Sequence, residues 1–172
     1  GIRLGPRSVL TGKTAELLSE ISGMDRVAFS NSGTEANMAA IRIARAYRNR
    51  DKIVIFKGSY HGHTDTVLAS TVIRNGLPES TPLSSGIPNS AVEDTIVLDY
   101  GEPESLAKIR ELSDVIAAVI VEPVRSRHLG HQPFEFVSQL RQLTQETGIV
   151  LMFDEMLTGF RIHLQGAQHF MG

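Results

Sequence analysis

At 172 residues and 41% hydrophobic content the chain is long enough to bury a sizeable core as one domain, which argues against intrinsic disorder. A formal charge of −2 argues against a general role on nucleic acid or an anionic membrane surface. The sequence has no apolar run of bilayer length and no basic-then-apolar leader, which points to a soluble protein of the cytoplasm, and the lack of cysteine excludes disulfides and thiolate metal sites.

In chain order, Leu17, Leu18 and Ile21 lie on one face of an N-terminal helix. Five β-rich runs follow: Arg26 to Ser30, Lys52 to Phe56, Thr95 to Leu98, Val115 to Val121 and Gly148 to Phe153. Most are continuous apolar runs, the pattern of strands covered on both faces. Between them lie helical patterns. Glu35 to Arg48 carries Ala36, Ala40, Ile43 and Tyr47 on one stripe and Arg42, Arg45 and Asn49 on another. Leu106, Ile109 and Leu112 repeat at helical spacing; Phe136, Val137, Leu140 and Leu143 form a further stripe begun near Pro133 and stopped at Gly148. Strands alternating with helices predict an α/β fold of three layers, a mostly parallel sheet with flanking helices. Arg74 to Ala91 interrupts the pattern: Gly76, Pro78, Pro82, Gly86 and Pro88 with five serines or threonines predict an irregular loop, either a surface excursion or a lid. The chain starts at Gly1 and stops just after His169-Phe170-Met171, and it reads as a piece of something longer.

Chemistry-bearing residues fall at the ends of the predicted strands. Asn31-Ser32-Gly33-Thr34-Glu35 opens a helix with the capping box Ser32 and Glu35. Gly33 admits close backbone approach, the Ser32 and Thr34 hydroxyls can donate, and the helix dipole favours an anion, so this end suits a phosphate; an ordinary capped helix is the alternative. Tyr60-His61-Gly62-His63 follows the second strand, where Tyr60 or His61 can lay a ring over a flat ligand. A metal site at His61 and His63 lacks carboxylates at a matching spacing, so no metal is expected. Glu122-Pro123 ends the fourth strand and Asp154-Glu155 the fifth. Together these groups mark a crevice at the C-terminal edge of a parallel sheet. No G-x-G-x-x-G is present, which disfavours a nicotinamide cofactor. A buried carboxylate beside a pyridine nitrogen favours its protonated form, and that is the chemistry of pyridoxal phosphate.

With Ser32-Gly33-Thr34, Tyr60-His61-Gly62, Glu122-Pro123 and Asp154-Glu155 in this order, the chain resembles class III aminotransferases, fold-type I pyridoxal phosphate enzymes. Phe153-Asp154-Glu155-Met156-Leu157-Thr158-Gly159-Phe160-Arg161 is similar to the signature of glutamate-1-semialdehyde aminomutases. Glu122-Pro123-Val124-Arg125-Ser126-Arg127, with Arg161-Ile162-His163 and Gly166-Ala167-Gln168, is more similar to aminotransferase domains of hybrid polyketide and nonribosomal peptide synthetases. The resemblance implies that residues 1–172 are part of the large, cofactor-binding domain of a homodimeric transaminase. It implies an amino donor and a keto acceptor, possibly carrier-bound, with aminomutase chemistry as the alternative. It places Ser32, Gly33 and Thr34 at the cofactor phosphate, Tyr60 on the ring, Asp154 at the ring nitrogen and Met156 on the opposite ring face. Glu122 and Glu155 become site residues that orient substrate or hold the network around Asp154, and His61 supports them. Arg125, Arg127, His128 and His131 would meet a carrier-tethered acyl chain or its phosphate, or form an exposed basic loop.

The family's cofactor-linking lysine follows the Asp154 position. The lysines here, Lys13, Lys52, Lys57 and Lys108, all precede it, so the chain by itself is expected to be inactive. A non-catalytic binding module derived from the same fold is the reading of another class, and it applies if the reading frame ends at Gly172.

Overall fold

The computed structural model describes residues 8–74 and 77–171. Gly76 of the predicted loop and the two terminal glycines lie outside these residues. The helices are α1 (Val9–Ser22), α2 (Gly33–Arg48), α3 (Asn89–Val92), α4 (Pro103–Glu111), α5 (Phe134–Thr147) and α6 (Ala167–Phe170). The strands are β1 (Lys52–Phe56), β2 (Ala69–Arg74), β3 (Leu77–Pro82), β4 (Thr95–Leu98), β5 (Ile116–Val121) and β6 (Val150–Phe153).

Four strands form a parallel sheet in the order β4-β1-β5-β6. All six side chains of β5 are buried, as befits a strand paired on both edges and covered on both faces. Successive residues of β1 feed opposite layers. Val54 and Phe56 pack with Ile109 of α4 and Phe136, Val137 and Leu140 of α5. Ile53 and Ile55 pack with Ile41 and Ala44 of α2. The period of two thus divides the core into the two slabs of a three-layer α/β fold. The chain runs from β1 to β4 on one side and returns to β5 on the other, so the strand order switches direction between β1 and β5. An open parallel sheet parts its loops at such a point and leaves a crevice.

Three expectations are corrected. Arg26 to Ser30 forms no regular element and pairs with no strand among the described residues, and Phe29 is exposed; its β-propensity has no neighbouring edge to satisfy it. The segment from Arg74 to Ala91 is not irregular throughout. β2 and β3 form an antiparallel hairpin with Ala69 opposite Pro82, and Pro78 and Pro82 are tolerated because this two-stranded ribbon has free edges. On α2, the stripe ending in Ile43 and Tyr47 faces outward, and the helix instead buries Ile41 and Ala44. That inward line begins at Asn37 and ends at half-buried Arg48. Its polar ends hid it from a count of apolar residues. The predicted N-terminal helix forms, but Leu17 stays exposed, with Leu18 and Ile21 half-buried.

Candidate active site

The turn into α2 folds as its sequence dictates. Ser32 Oγ accepts from the Glu35 amide at 3.3 Å, as an N-cap does, and Glu35 Oε2 reaches back one residue beyond the N-cap to accept from the Asn31 amide at 2.7 Å. Both interactions use side-chain oxygens as acceptors, so the Ser32 hydroxyl proton and the Gly33 and Thr34 amides remain available to an anion. Thr34 Oγ1 accepts from the His63 amide at 3.3 Å, tying this turn to the loop after β1. That loop crosses α2 at Gly62, whose φ is +96°; a Cβ there would stand 2.4 Å from Thr34 Oγ1 and 2.8 Å from Thr34 Cα. Only glycine combines that backbone angle with so close an approach.

Asp154 lies at the end of β6, its amide donating to Val121 O at 2.8 Å, so it stands beside Glu122 at the end of β5. Its side chain is buried and held from three directions. His61 Nδ1 meets Oδ2 at 2.9 Å, Asn37 Nδ2 donates to the same oxygen at 2.8 Å, and the Met156 amide donates to Oδ1 at 3.2 Å. Burial is the largest single influence and pushes the carboxyl up. The hydrogen bonds from His61 and Asn37, the electrostatic attraction of His61 and the Met156 amide together outweigh it and hold Asp154 below the usual carboxylate range. The site therefore keeps a negative charge in a buried position, ready for a cationic group. With Nδ1 engaged by Asp154 and the ring only 2% exposed, His61 is a supporting residue of this carboxylate.

Glu122 is buried and works in the backbone. Oε2 accepts from the Tyr60 amide at 2.9 Å, across the switch point, and Oε1 accepts from the Ser126 amide at 3.2 Å. This sets the loop carrying Tyr60, whose ring is half exposed. Beneath it, Tyr100 donates its hydroxyl to Pro123 O at 3.0 Å. Met156 lies over Gly33: a Cβ on that glycine would stand 2.8 Å from Met156 Cγ. Glu155 turns the other way. It accepts from Thr158 Oγ1 at 2.7 Å and from the Ala167 and Gln168 amides at 2.7 and 2.9 Å, pinning the turn after β6 to the start of α6.

The crevice thus gathers Ser32, Gly33, Thr34, Tyr60, His61, Glu122, Asp154 and Met156, with Glu155 supporting the turn from behind. Asn37 and Tyr100 are additional. Asn37 was hidden as a lone polar residue on a helix, although its spacing to Ile41 and Ala44 puts it on the buried line.

The basic residues divide. Arg125 donates to Lys57 O at 2.8 Å, meets His131 Nδ1 at 2.7 Å and lies over the Tyr100 ring, whereas Arg127 and His128 are exposed. A cavity of 590 Å³ lies along β6, lined by Phe153, Glu155 and Gly166, and excludes Asp154 and Thr34. A second, of 550 Å³, lies among Lys57, Asp99, Tyr100, Arg125 and His128 at the edge of the crevice. Among the described residues no helix is long and apolar enough to cross a membrane.

The donor set fits a flat ligand with an anionic group at one end and a protonatable ring nitrogen at the other: free amides at the start of α2, a ring at Tyr60, an apolar side chain at Met156 and an ionised carboxylate at Asp154. Comparison with known proteins agrees. The family profile described as aminotransferase class-III matches residues 5–163. A glutamate-1-semialdehyde 2,1-aminomutase of Clostridium novyi is 42% identical over all of this chain and 40% of its own length. An omega-transaminase of Sphaerobacter thermophilus superposes with a TM-score of 0.89 at 34% identity, over all of this chain and 41% of that one. A transaminase with pyridoxal phosphate bound superposes at 0.86, also at 34% identity and with the same coverage. The chain spans about two fifths of the length of these relatives.

Proposed function

The chain belongs to the class III aminotransferases, whose cofactor is pyridoxal phosphate, and on that premise we propose that residues 1–172 are part of the large domain of an amino-group-transferring enzyme. The observation that carries this reading is Asp154, an ionised carboxylate buried at the end of β6 in the same crevice as the free start of α2. When bound, pyridoxal phosphate supplies an electron sink for the substrate carbon. The chain's own residues do the rest. The amides of Gly33 and Thr34 with the Ser32 hydroxyl would hold the phosphate, Tyr60 and Met156 would flank the ring, and Asp154 would keep a proton on the ring nitrogen. Glu122 fixes the Tyr60 loop, and Glu155 fixes the turn that carries Met156.

The lysine that links the cofactor belongs to another segment. Here Lys52 pairs with Asp94 at 3.1 Å, Lys57 with Asp99 at 3.6 Å and Lys108 with Glu111 at 2.8 Å, and Lys13 is exposed on α1. The full enzyme acts as a homodimer with an amino donor and a carrier-bound β-ketoacyl acceptor. The turn Arg125-Ser126-Arg127, with Arg125 and the exposed His128 lining the 550 Å³ cavity, supports that acceptor. A second reading, movement of an amino group within one molecule, is favoured by the 42% identity to an aminomutase.

In the full-length protein, amination of a carrier-bound β-ketoacyl thioester with an amine donor supports the first reading, and turnover of glutamate 1-semialdehyde alone supports the second. Asp154→Asn is expected to lower kcat/KM for either by about 10²–10³-fold, the scale of losing one preorganised electrostatic partner. Borohydride reduction of the 172-residue chain with pyridoxal phosphate, followed by peptide mass spectrometry, is expected to leave the four lysines free of a stoichiometric adduct. An adduct on any one of them would return the covalent step to this segment.

A further inference from the structure

We propose that Asn37 is a positioning residue which, together with His61, occupies Oδ2 of Asp154 and leaves Oδ1 as the oxygen offered to the cofactor's ring nitrogen. The inference rests on the pyridoxal phosphate reading and deepens it.

Asn37 Nδ2 has two protons, and its two neighbours are Asp154 Oδ2 at 2.8 Å and His61 O at 3.2 Å. An ionised carboxylate and a backbone carbonyl can only accept, so the amide nitrogen, not its oxygen, must face them. His61 Nδ1 at 2.9 Å is the second donor to Oδ2. Both in-plane positions of that oxygen are then filled, whereas Oδ1 receives only the Met156 amide at 3.2 Å. One strong acceptor position remains on the carboxylate, and it is on Oδ1.

Asparagine is a poor residue for a helix interior, because its side chain competes for backbone partners and it lacks the propensity of alanine. Here it occupies the first turns of α2, on the line that continues through buried Ile41 and Ala44. It lies three residues after Thr34, or about 4.5 Å along the helix axis. One rigid helix therefore presents its amides to the phosphate and, through Asn37, fixes the carboxylate for the ring nitrogen. The loop after β1 is latched to the same helix twice, by Asn37 to His61 O and by His63 N to Thr34 Oγ1. The distance between the two ends of the ligand is thus set by α2 and by the bond that ties the end of β6 to it.

The test separates a role toward the ring nitrogen from a role in packing. In the full-length protein, Asn37→Leu keeps the branched shape and the number of heavy atoms and removes both donors. The dissociation constant for pyridoxal phosphate is expected to rise about tenfold, the scale of one charge-assisted hydrogen bond. That for the 1-deaza analogue, which has a CH in place of the ring nitrogen, is expected to change less than about twofold. Equal losses for both ligands, or no loss for either, overturn the inference. Where Asn37→Leu fails to fold, Asn37→Thr retains a single hydroxyl donor; it is expected to show a smaller loss, about threefold, still confined to the nitrogen-bearing ligand, and an equal loss for both again overturns the inference. If the unsubstituted protein binds neither ligand, the cofactor reading falls and this inference with it. If it binds pyridoxal phosphate and the variants respond without regard to the ring nitrogen, only the role of Asn37 falls.

Discussion

The crevice has a floor and a rim of different construction. Asp154, His61 and Glu122 in the floor are 8%, 2% and 6% exposed, and both carboxylates are held by donors from other elements. At the rim, Tyr60 is 49% and Met156 65% exposed, and Ser32 faces solvent. The contrast separates two tasks. A group that must hold charge at low dielectric has to be fixed by the protein beforehand, because an unsupported buried carboxylate takes up a proton instead. A group that covers a ring face or meets a phosphate can remain open until the ligand supplies the missing contacts. Substitution should therefore disturb folding in the floor and leave it nearly untouched at the rim.

Gly62→Ala is the harshest trial of that division. The new Cβ would enter a backbone at φ +96° and press on Thr34 Cα at 2.8 Å, and neither that angle nor a backbone atom can give way cheaply. The left-handed penalty and the overpacking together are expected to cost about 2–4 kcal/mol. A fall in the urea midpoint at unchanged m-value would register it. A loss below about 0.5 kcal/mol would mean that the β1 loop and α2 are not latched, and the distinction between floor and rim would collapse.

Tyr100 tests the floor from below. Burial pushes its phenol well above the ordinary value, Glu122 adds to the rise and Arg125 opposes it. In the unfolded chain the group loses its proton near pH 10, whereas in the folded chain it keeps it to higher pH. Its contribution to stability is therefore fully present below about pH 10 and is lost as pH rises toward the folded value. Tyr100→Phe is expected to cost about 1 kcal/mol at neutral pH through the lost bond to Pro123 O. It should also flatten the decline in stability between about pH 9 and 11. An unchanged alkaline slope would contradict the buried, hydrogen-bonded Tyr100.

What the sequence revealed, and what it hid, follows the same physics. The four parallel strands were legible because burial on both faces leaves continuous apolar runs such as Ile116 to Val121. Ser32 with Glu35 announced the helix start, since capping is a local interaction. Tyr60, His61, Glu122 and Asp154 were legible as polar residues at strand ends, where the sheet topology brings them together. Long-range pairings were not. Asn37 touches Asp154, 117 residues away, and no periodicity records that contact. The hairpin of β2 and β3 escaped because its prolines argue against a strand, and only the free edges of the ribbon make them acceptable. Arg26 to Ser30 erred the other way: local propensity favours a strand, but a strand exists only where another edge pairs with it.

Gly33→Ala is expected to have the smallest effect on stability and sharpens the contrast most, because the same substitution as at Gly62 is made a few residues from the same contact. Its Cβ would stand 2.8 and 2.9 Å from Met156 Cγ and Sδ, distances as tight as several at Gly62. The opposing atoms, however, belong to a flexible, largely exposed thioether that can swing into solvent, and Gly33 does not have a positive φ. Alanine also improves on glycine within a helix, by up to about 1 kcal/mol in an interior position and less in the first turn. The two effects offset, and urea denaturation should find a change within about 0.5 kcal/mol, the range of substitutions outside special features. On the proposed placement of the cofactor, pyridoxal phosphate affinity in the full-length protein should fall nevertheless, because a displaced Met156 would no longer cover the ring and the added methyl would obstruct close approach to the turn. Stability lost in step with affinity would show Met156 to be part of the packed floor, and the boundary would have to be redrawn on the other side of Gly33.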